Sequence, residues 1–238
     1  MLKIGIRQLV CLTLLSLSSS GIVNGTSSNK DEVELALAAI GSGSAEELKI
    51  RLFTYQITVF DAEFRARAIT ALPTAQRDQR ITQGNLLRRV ETVFQLALQL
   101  HGRGGKVELF LFHHDLPTVQ FWRSSVLMIP DCLAEALPDG ELAGIIAHEL
   151  GHSYFEDEMA AAQRNQDFHG MRVIELKCDA VAMLSLKLLG YNPVLFLEGL
   201  QRIKELDRSK SRSHGIIQSH PELVIRAQFS HRLIKSLG

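Results

Sequence analysis

The chain has 238 residues, 46% apolar and 22% charged, which suits one well-buried globular domain with small additions. Its 26 basic and 26 acidic residues cancel, and no cluster of Arg or Lys carries interleaved aromatics. That balance argues against a nucleic-acid-binding protein and against one held to an anionic membrane by charge alone.

Lys3 and Arg7 precede the apolar run Leu9 to Leu17, and Ser18-Ser19-Ser20-Gly21 and Val23-Asn24-Gly25 follow. A basic start, a short apolar middle and small residues at the end predict a signal peptide over residues 1–25 and an exported protein, periplasmic or secreted. Left uncleaved, residues 4–23 would be a membrane anchor, the only membrane association the sequence suggests. Removal of the segment leaves Cys132 and Cys178, either as one disulfide or as two free thiols.

Residues 26–44 read as an N-terminal extension, with a short helix over Asp31–Ile40 and a flexible joint over Gly41–Ser44; residues 45–238 form the main domain. Ser44 caps the next helix, which has Glu46 and Glu47 in its first turn and carries Leu48, Ile50, Leu52, Ile57 and Phe60. Pro73 stops its continuation. Leu86, Val90, Val93, Leu96, Ala97 and Leu100 recur at helical spacing and predict a helix over Asn85–Leu100, ended by Gly102-Arg103-Gly104-Gly105. The period then changes. Lys106–Phe112, Thr118–Trp122 and Val126–Ile129 are rich in strand formers and predict a small sheet. Trp122 is assigned to the core. His113 and His114 are assigned to a surface loop, because adjacent residues on extended chain point apart.

After the turn Leu137-Pro138-Asp139-Gly140, with Asp139 as helix cap, comes Glu141-Leu142-Ala143-Gly144-Ile145-Ile146-Ala147-His148-Glu149-Leu150-Gly151-His152. His148 and His152 are four apart, so a helix presents both imidazoles on one face, where they can grip one metal ion. Zinc is the usual occupant of such a pair, one ion per chain. Glu149 projects beside the pair, where its carboxylate can reach a water held by the metal and act as general base. A third ligand is needed. Extending the motif in the metzincin manner would require Gly at 155 and His at 158, but Phe155 and Glu158 stand there. Glu156, also four residues on, would lie about 12 Å along the helix from His148, too far to share an ion unless the helix breaks after His152. Glu175 and Asp179 share one face of a second helix, Met171–Leu189. Glu175 is placed to ligate, and Asp179 to take the free N–H of a ligating histidine. Cys178 is chemically able to ligate, but a thiolate there would leave Glu175 without a role. Gly190 stops this helix, Pro193 opens another to about Leu206, Arg208–His214 reads as a loop, and Ser219-His220-Pro221 starts the last helix.

His-Glu-Leu-Gly-His, then Glu-x-x-x-Asp, Gly190-Tyr191-Asn192-Pro193, and His220-Pro221 with Arg226 resemble the HtpX-like, Oma-like and CAAX-prenyl-protease-like zinc metallopeptidases, metallopeptidase family forty-eight. The resemblance covers about residues 85–236 and is strongest from Glu141 to Pro193. It implies an α+β, mainly helical, zincin-like fold of the gluzincin type, with a small sheet beside the metal helix. It also implies an endopeptidase with His148, His152 and Glu175 as ligands, Glu149 as base, and His220 or Arg226 stabilising the oxyanion. His220 otherwise reads as a helix-start residue. Where the family commonly carries an Asn-Ala pair on its substrate-binding strand, this chain has Thr118-Val119. The substrate would be a protein or peptide. The reading from another class is a non-catalytic zinc-binding or chaperone-like module on the same fold.

Overall fold

The computed structural model describes residues 28–53, 61–210 and 221–237. The expected signal peptide, Ile57, Phe60 and His220 lie outside the described residues. The described chain is mainly helical with one three-stranded sheet. In order come α1 (Ser28–Ile40), α2 (Ala45–Leu52), α3 (Ala62–Thr70), α4 (Thr74–Arg77) and α5 (Asn85–Leu100). Strands β1 (Glu108–Phe112), β2 (Gln120–Trp122) and β3 (Val126–Pro130) follow. Helices α6 (Asp131–Ala136), α7 (Asp139–His152), α8 (Glu156–Arg164), α9 (Phe168–Leu188), α10 (Leu195–Lys210) and α11 (Leu223–Ser236) complete it.

Two central helices organise the core. Every residue of α7 from Gly140 to His148 is buried, and α9 is buried from Ile174 to Leu186. A helix apolar on all sides must be covered on all sides. Helices α1, α5, α10 and α11 provide that cover together with α8. The segment read as an N-terminal extension is therefore part of the core: Val33, Ala36 and Ile40 of α1 are buried against it. Buried Glu32 accepts a hydrogen bond from Arg172 Nε at 2.6 Å and ties α1 to α9. The Gly41–Ser44 joint is braced, since Arg51 donates to the Ile40 carbonyl at 2.7 Å. Ser44 and Glu47 form a reciprocal capping box on α2.

Several expected boundaries move. The helix begun at Ser44 ends at Leu52, and Asp61 caps a separate α3 by accepting from Phe64 N at 2.7 Å. On α5 the buried stripe is Val90, Val93, Phe94, Ala97 and Leu98, while Leu96 is exposed, so the face is rotated from the one read. Asp139 is not a cap: it stands inside α7 behind Pro138 and pairs with Arg89 Nε at 3.1 Å. The polar stretch after Glu156 is largely helical, as α8. Helix α9 starts at Phe168, where Asp167 accepts from Gly170 N at 2.8 Å. Helix α10 runs past Leu206 to Lys210, and α11 begins two residues after Pro221. Gly190 ends α9 as read, at φ 80°, a conformation glycine adopts without cost.

In the sheet, β3 lies between β1, parallel to it, and β2, antiparallel to it. Its central place explains the unbroken apolar run Val126-Leu127-Met128-Ile129, all buried. Residues 79–81 run along the outer edge of β1, with Ile81 N donating to Leu111 O at 2.8 Å and His113 N to Gln79 O at 2.9 Å. That leaves β2, which also touches α7, as the open edge among the described residues. Trp122 packs with Phe110, Phe112 and Met128, and its indole N–H donates to Ala68 O at 3.0 Å, in keeping with the core assignment. His113 and His114 are exposed around Asp131, which accepts from His113 Nδ1 at 2.6 Å and His114 N at 3.0 Å. Cys132 and Cys178 are free thiols. No helix among the described residues is long and apolar enough to cross a membrane.

Behind the end of α7 lies a hydrogen-bond relay. Ser185 donates to Val181 O at 2.6 Å, so its oxygen must accept from His101 Nε2, 3.0 Å away. His101 Nδ1 then accepts from the Tyr154 hydroxyl at 2.8 Å, and Phe53 stacks on the imidazole. Burial, reinforced by the Arg103 and Lys49 cations, pushes the His101 imidazole down to about 3. The folded chain therefore keeps this ring neutral while the unfolded chain protonates it near 6.5. Stability from this source is complete above pH 6.5 and is lost as pH falls from there toward 3. At pH 5 the loss is about 2 kcal/mol. Denaturant unfolding at pH 7 and pH 5 checks it: the drop should shrink by that amount in His101→Asn.

Candidate metal centre

Helix α7 ends at His152, one turn after His148, and delivers both rings to one side. The rings stand edge to face, with centroids 5.0 Å apart and an interplanar angle of 88°. Helix α9 crosses beneath and supplies Glu175. His148 Nε2 lies 3.4 Å from Glu175 Oε2, and His152 Nε2 lies 3.7 Å from Glu175 Oε1. One ligand atom from each of the three residues falls within 4.8 Å of the others. Bonds of about 2 Å to an ion in tetrahedral geometry require donors about 3.3 Å apart. The separations to Glu175, one to each carboxylate oxygen, are near that spacing, and the donor set of two imidazoles and a carboxylate suits a divalent cation. His148, His152 and Glu175 thus form a largely buried group that can hold a metal ion.

The contact that brings the two helices together is Gly151. A Cβ built there would sit 3.2 Å from both Cα and Cβ of Cys178 and 3.4 Å from Val181 Cβ. A side chain there would require the facing backbone of α9 to give by a few tenths of an ångström.

His148 is held from behind. Its Nδ1 is 2.9 Å from Asp179 Oδ1, so the ring donates Nδ1–H to the carboxylate and turns Nε2 toward Glu175. Arg226 of α11 forks onto Asp179, donating from Nε at 2.8 Å and from Nη2 to the other oxygen. Its Nη2 is also 3.4 Å from His148 Nδ1, a close approach rather than a bond, because that nitrogen already carries the donated proton. Phe196 of α10 stacks on His148 with centroids 5.7 Å apart, and the Arg226 guanidinium lies over the same phenyl ring. Burial pulls the His148 imidazole down, but the hydrogen bonds it makes to the Asp179 and Glu175 carboxylates outweigh it and raise it to about 9.

Glu149 stands beside the group, partly buried. Desolvation lifts its carboxyl to about 7, with Glu175 adding to the rise and His148 and Arg226 acting against it. His152 is the more open ligand, its side chain 26% exposed against 7% for His148, so the group is reached from the side of His152.

No protein-family model matches the chain, and no curated protein matches its sequence. The site therefore rests on its own geometry.

That geometry gathers His148, Glu149, His152, Glu175 and Asp179, as the spacing suggested. It corrects Arg226: the guanidinium is occupied by Asp179 on the far side of His148 and is not aimed at the mouth of the group, so the oxyanion role read for it has no geometric basis. Glu156 is also set aside. The helix does break after His152, but Glu156 is exposed at the start of α8 and takes no part in the group. Phe196 and Cys178 were not read as neighbours of the histidines. No spacing rule announces a contact made from another helix, although the Gly190-Tyr191-Asn192-Pro193 turn is what folds α10 back over α7.

If this is the metal group, its members are unequal. Glu175→Ala removes an oxygen donor and should abolish stoichiometric metal uptake. Asp179→Asn should weaken affinity by about 10–100-fold through the loosened His148 ring. Glu156→Ala should leave affinity unchanged. Metal analysis and chelator competition on the purified variants measure all three.

Proposed function

We propose that the chain is a zinc-dependent endopeptidase of the gluzincin type that hydrolyses peptide bonds in exported or misfolded proteins. The observation that supports this most is the position of Glu149. A site built only to hold a metal for structure needs the two histidines and Glu175, but not a further carboxylate, partly open, one residue from His148 and outside the ligand group. Zinc, when bound, supplies a Lewis acid that polarises a carbonyl and lowers the pKa of water beside it.

The protein's own residues would do the rest. Glu149, lifted to about 7 by burial, is poised to take a proton from water and return it to the leaving amine near neutral pH. Asp179, Arg226 and Phe196 keep His148 in one orientation, so the ligand geometry is set before substrate arrives. The edge of β2 beside α7, open among the described residues, offers backbone N–H and C=O groups to an extended peptide, with Thr118-Val119 leading into it. The zincin-like fold, the kinship with the HtpX-like enzymes and an exported location belong to the same proposal.

Proteolysis of an unfolded model protein, followed with and without chelator, tests it. Glu149→Gln should retain stoichiometric zinc and lose nearly all turnover. Wild-type protein that binds zinc but leaves every unfolded substrate intact would favour a binding module instead, and turnover by Glu149→Gln near the wild-type rate would remove the assigned base.

A further inference from the structure

The two candidate ligand histidines are each backed by a residue of α9, and the two backing residues are consecutive. Asp179 serves His148. On the other side, Cys178 Sγ lies 3.6 Å from His152 Nδ1. The opposite nitrogen of that ring, Nε2, is the one facing Glu175 at 3.7 Å. Counting along α9, Glu175 is followed three residues later by Cys178 and four later by Asp179, so one helical face carries a ligand and both supports. Resting on the metal-site reading above, we propose that Cys178 is a positioning residue for His152: its sulfur accepts the Nδ1–H and so directs Nε2 to the metal position.

The surroundings explain why a cysteine does this. Gly151 packs directly on the Cys178 backbone and Cβ. The residue is fully buried, with 0% exposure, and a thiol tolerates burial as a small hydrophobe. Alanine and valine would fill space there without an acceptor. A carboxylate would place a third negative charge beside Glu175 and Asp179. Sulfur is a weak acceptor that adds neither bulk nor charge. It faces Nδ1, the nitrogen turned away from Glu175, so its place is that of a support and not of a fourth ligand.

The inference has a signature that does not depend on catalysis. In the full chain without metal, imidazole nitrogen NMR should show His152 as the Nδ1–H tautomer. Cys178→Ala should shift the ring toward a mixture of tautomers and weaken zinc binding by about tenfold, measured by competition with a chromophoric chelator. Cys178→Ser, which restores an acceptor in nearly the same space, should recover both the tautomer and the affinity. Thermal melts establish that each variant is folded. An Nε2–H tautomer in the wild-type chain overturns the proposal outright, whether or not the alanine variant folds. So does a folded Cys178→Ala variant with wild-type tautomer and affinity. A serine variant that behaves like the alanine one would assign the effect to the bulk of sulfur, and also overturns it. Wild-type protein that takes up no zinc while His152 shows the expected tautomer would refute the metal reading and leave the positioning contact standing.

Discussion

The close crossing of α7 over α9 is the constraint on which the rest of the molecule depends. Two histidines on one helix are only half of a metal group, and the other half is a carboxylate 23 residues farther on in a second helix. They meet because Gly151 has no side chain to separate the backbones and Cys178 has only a short one. Forcing a methyl or more into such a contact costs about 1–3 kcal/mol where the neighbours cannot move aside, and here the neighbour is helix backbone. Stability and ligand geometry therefore hang on the same few atoms.

Placing Glu175 and Asp179 in this dry crossing is expensive, since a buried carboxylate without partners loses its hydration for nothing. The structure offsets that cost with charge of the opposite sign. Arg226 reaches from α11 to Asp179, and His148 stands between Asp179 and Glu175. The result is a line of alternating groups from Arg226 through Asp179 and His148 to Glu175. Removing one member strands the next. Such a line also has a mechanical consequence, because each link limits how far the ring it touches can turn.

The back of the site is rigid for these reasons and the front is open for others. Phe196, Arg226 and Asp179 enclose His148. The relay from Arg103 through Tyr154 and His101 to Ser185 pins the turn that follows His152, and Arg103 Nη2 also donates to Ser153. By contrast, Glu149 and His152 remain partly accessible, and β2, which touches α7, is the open edge of the sheet among the described residues.

Local chemistry made much of this legible in the sequence. The four-residue spacing of His148 and His152, the Glu175–Asp179 spacing, the cap at Ser44 and the stop at Gly190 each involve neighbours within one turn, whose relative positions the helix dictates. The three strands were legible as well, from their runs of strand-forming residues. What needed the tertiary structure were relations between elements. Spacing along α11 says nothing about which side of His148 Arg226 will approach, and it forks onto Asp179 instead of facing the mouth of the group. Asp139 has the chemistry of a cap, yet an arginine 50 residues earlier claims it. Residues 28–40 look like an appendage until α9 is seen to need covering on that side. Cys178 could be judged from sequence only as a ligand or a bystander; its contact with the far nitrogen of His152 exists because two helices cross at a glycine. The sequence by itself determined which groups share a helical face, since backbone geometry repeats every turn. Which faces meet, and so which atoms become partners, was decided only by the packing of the whole chain.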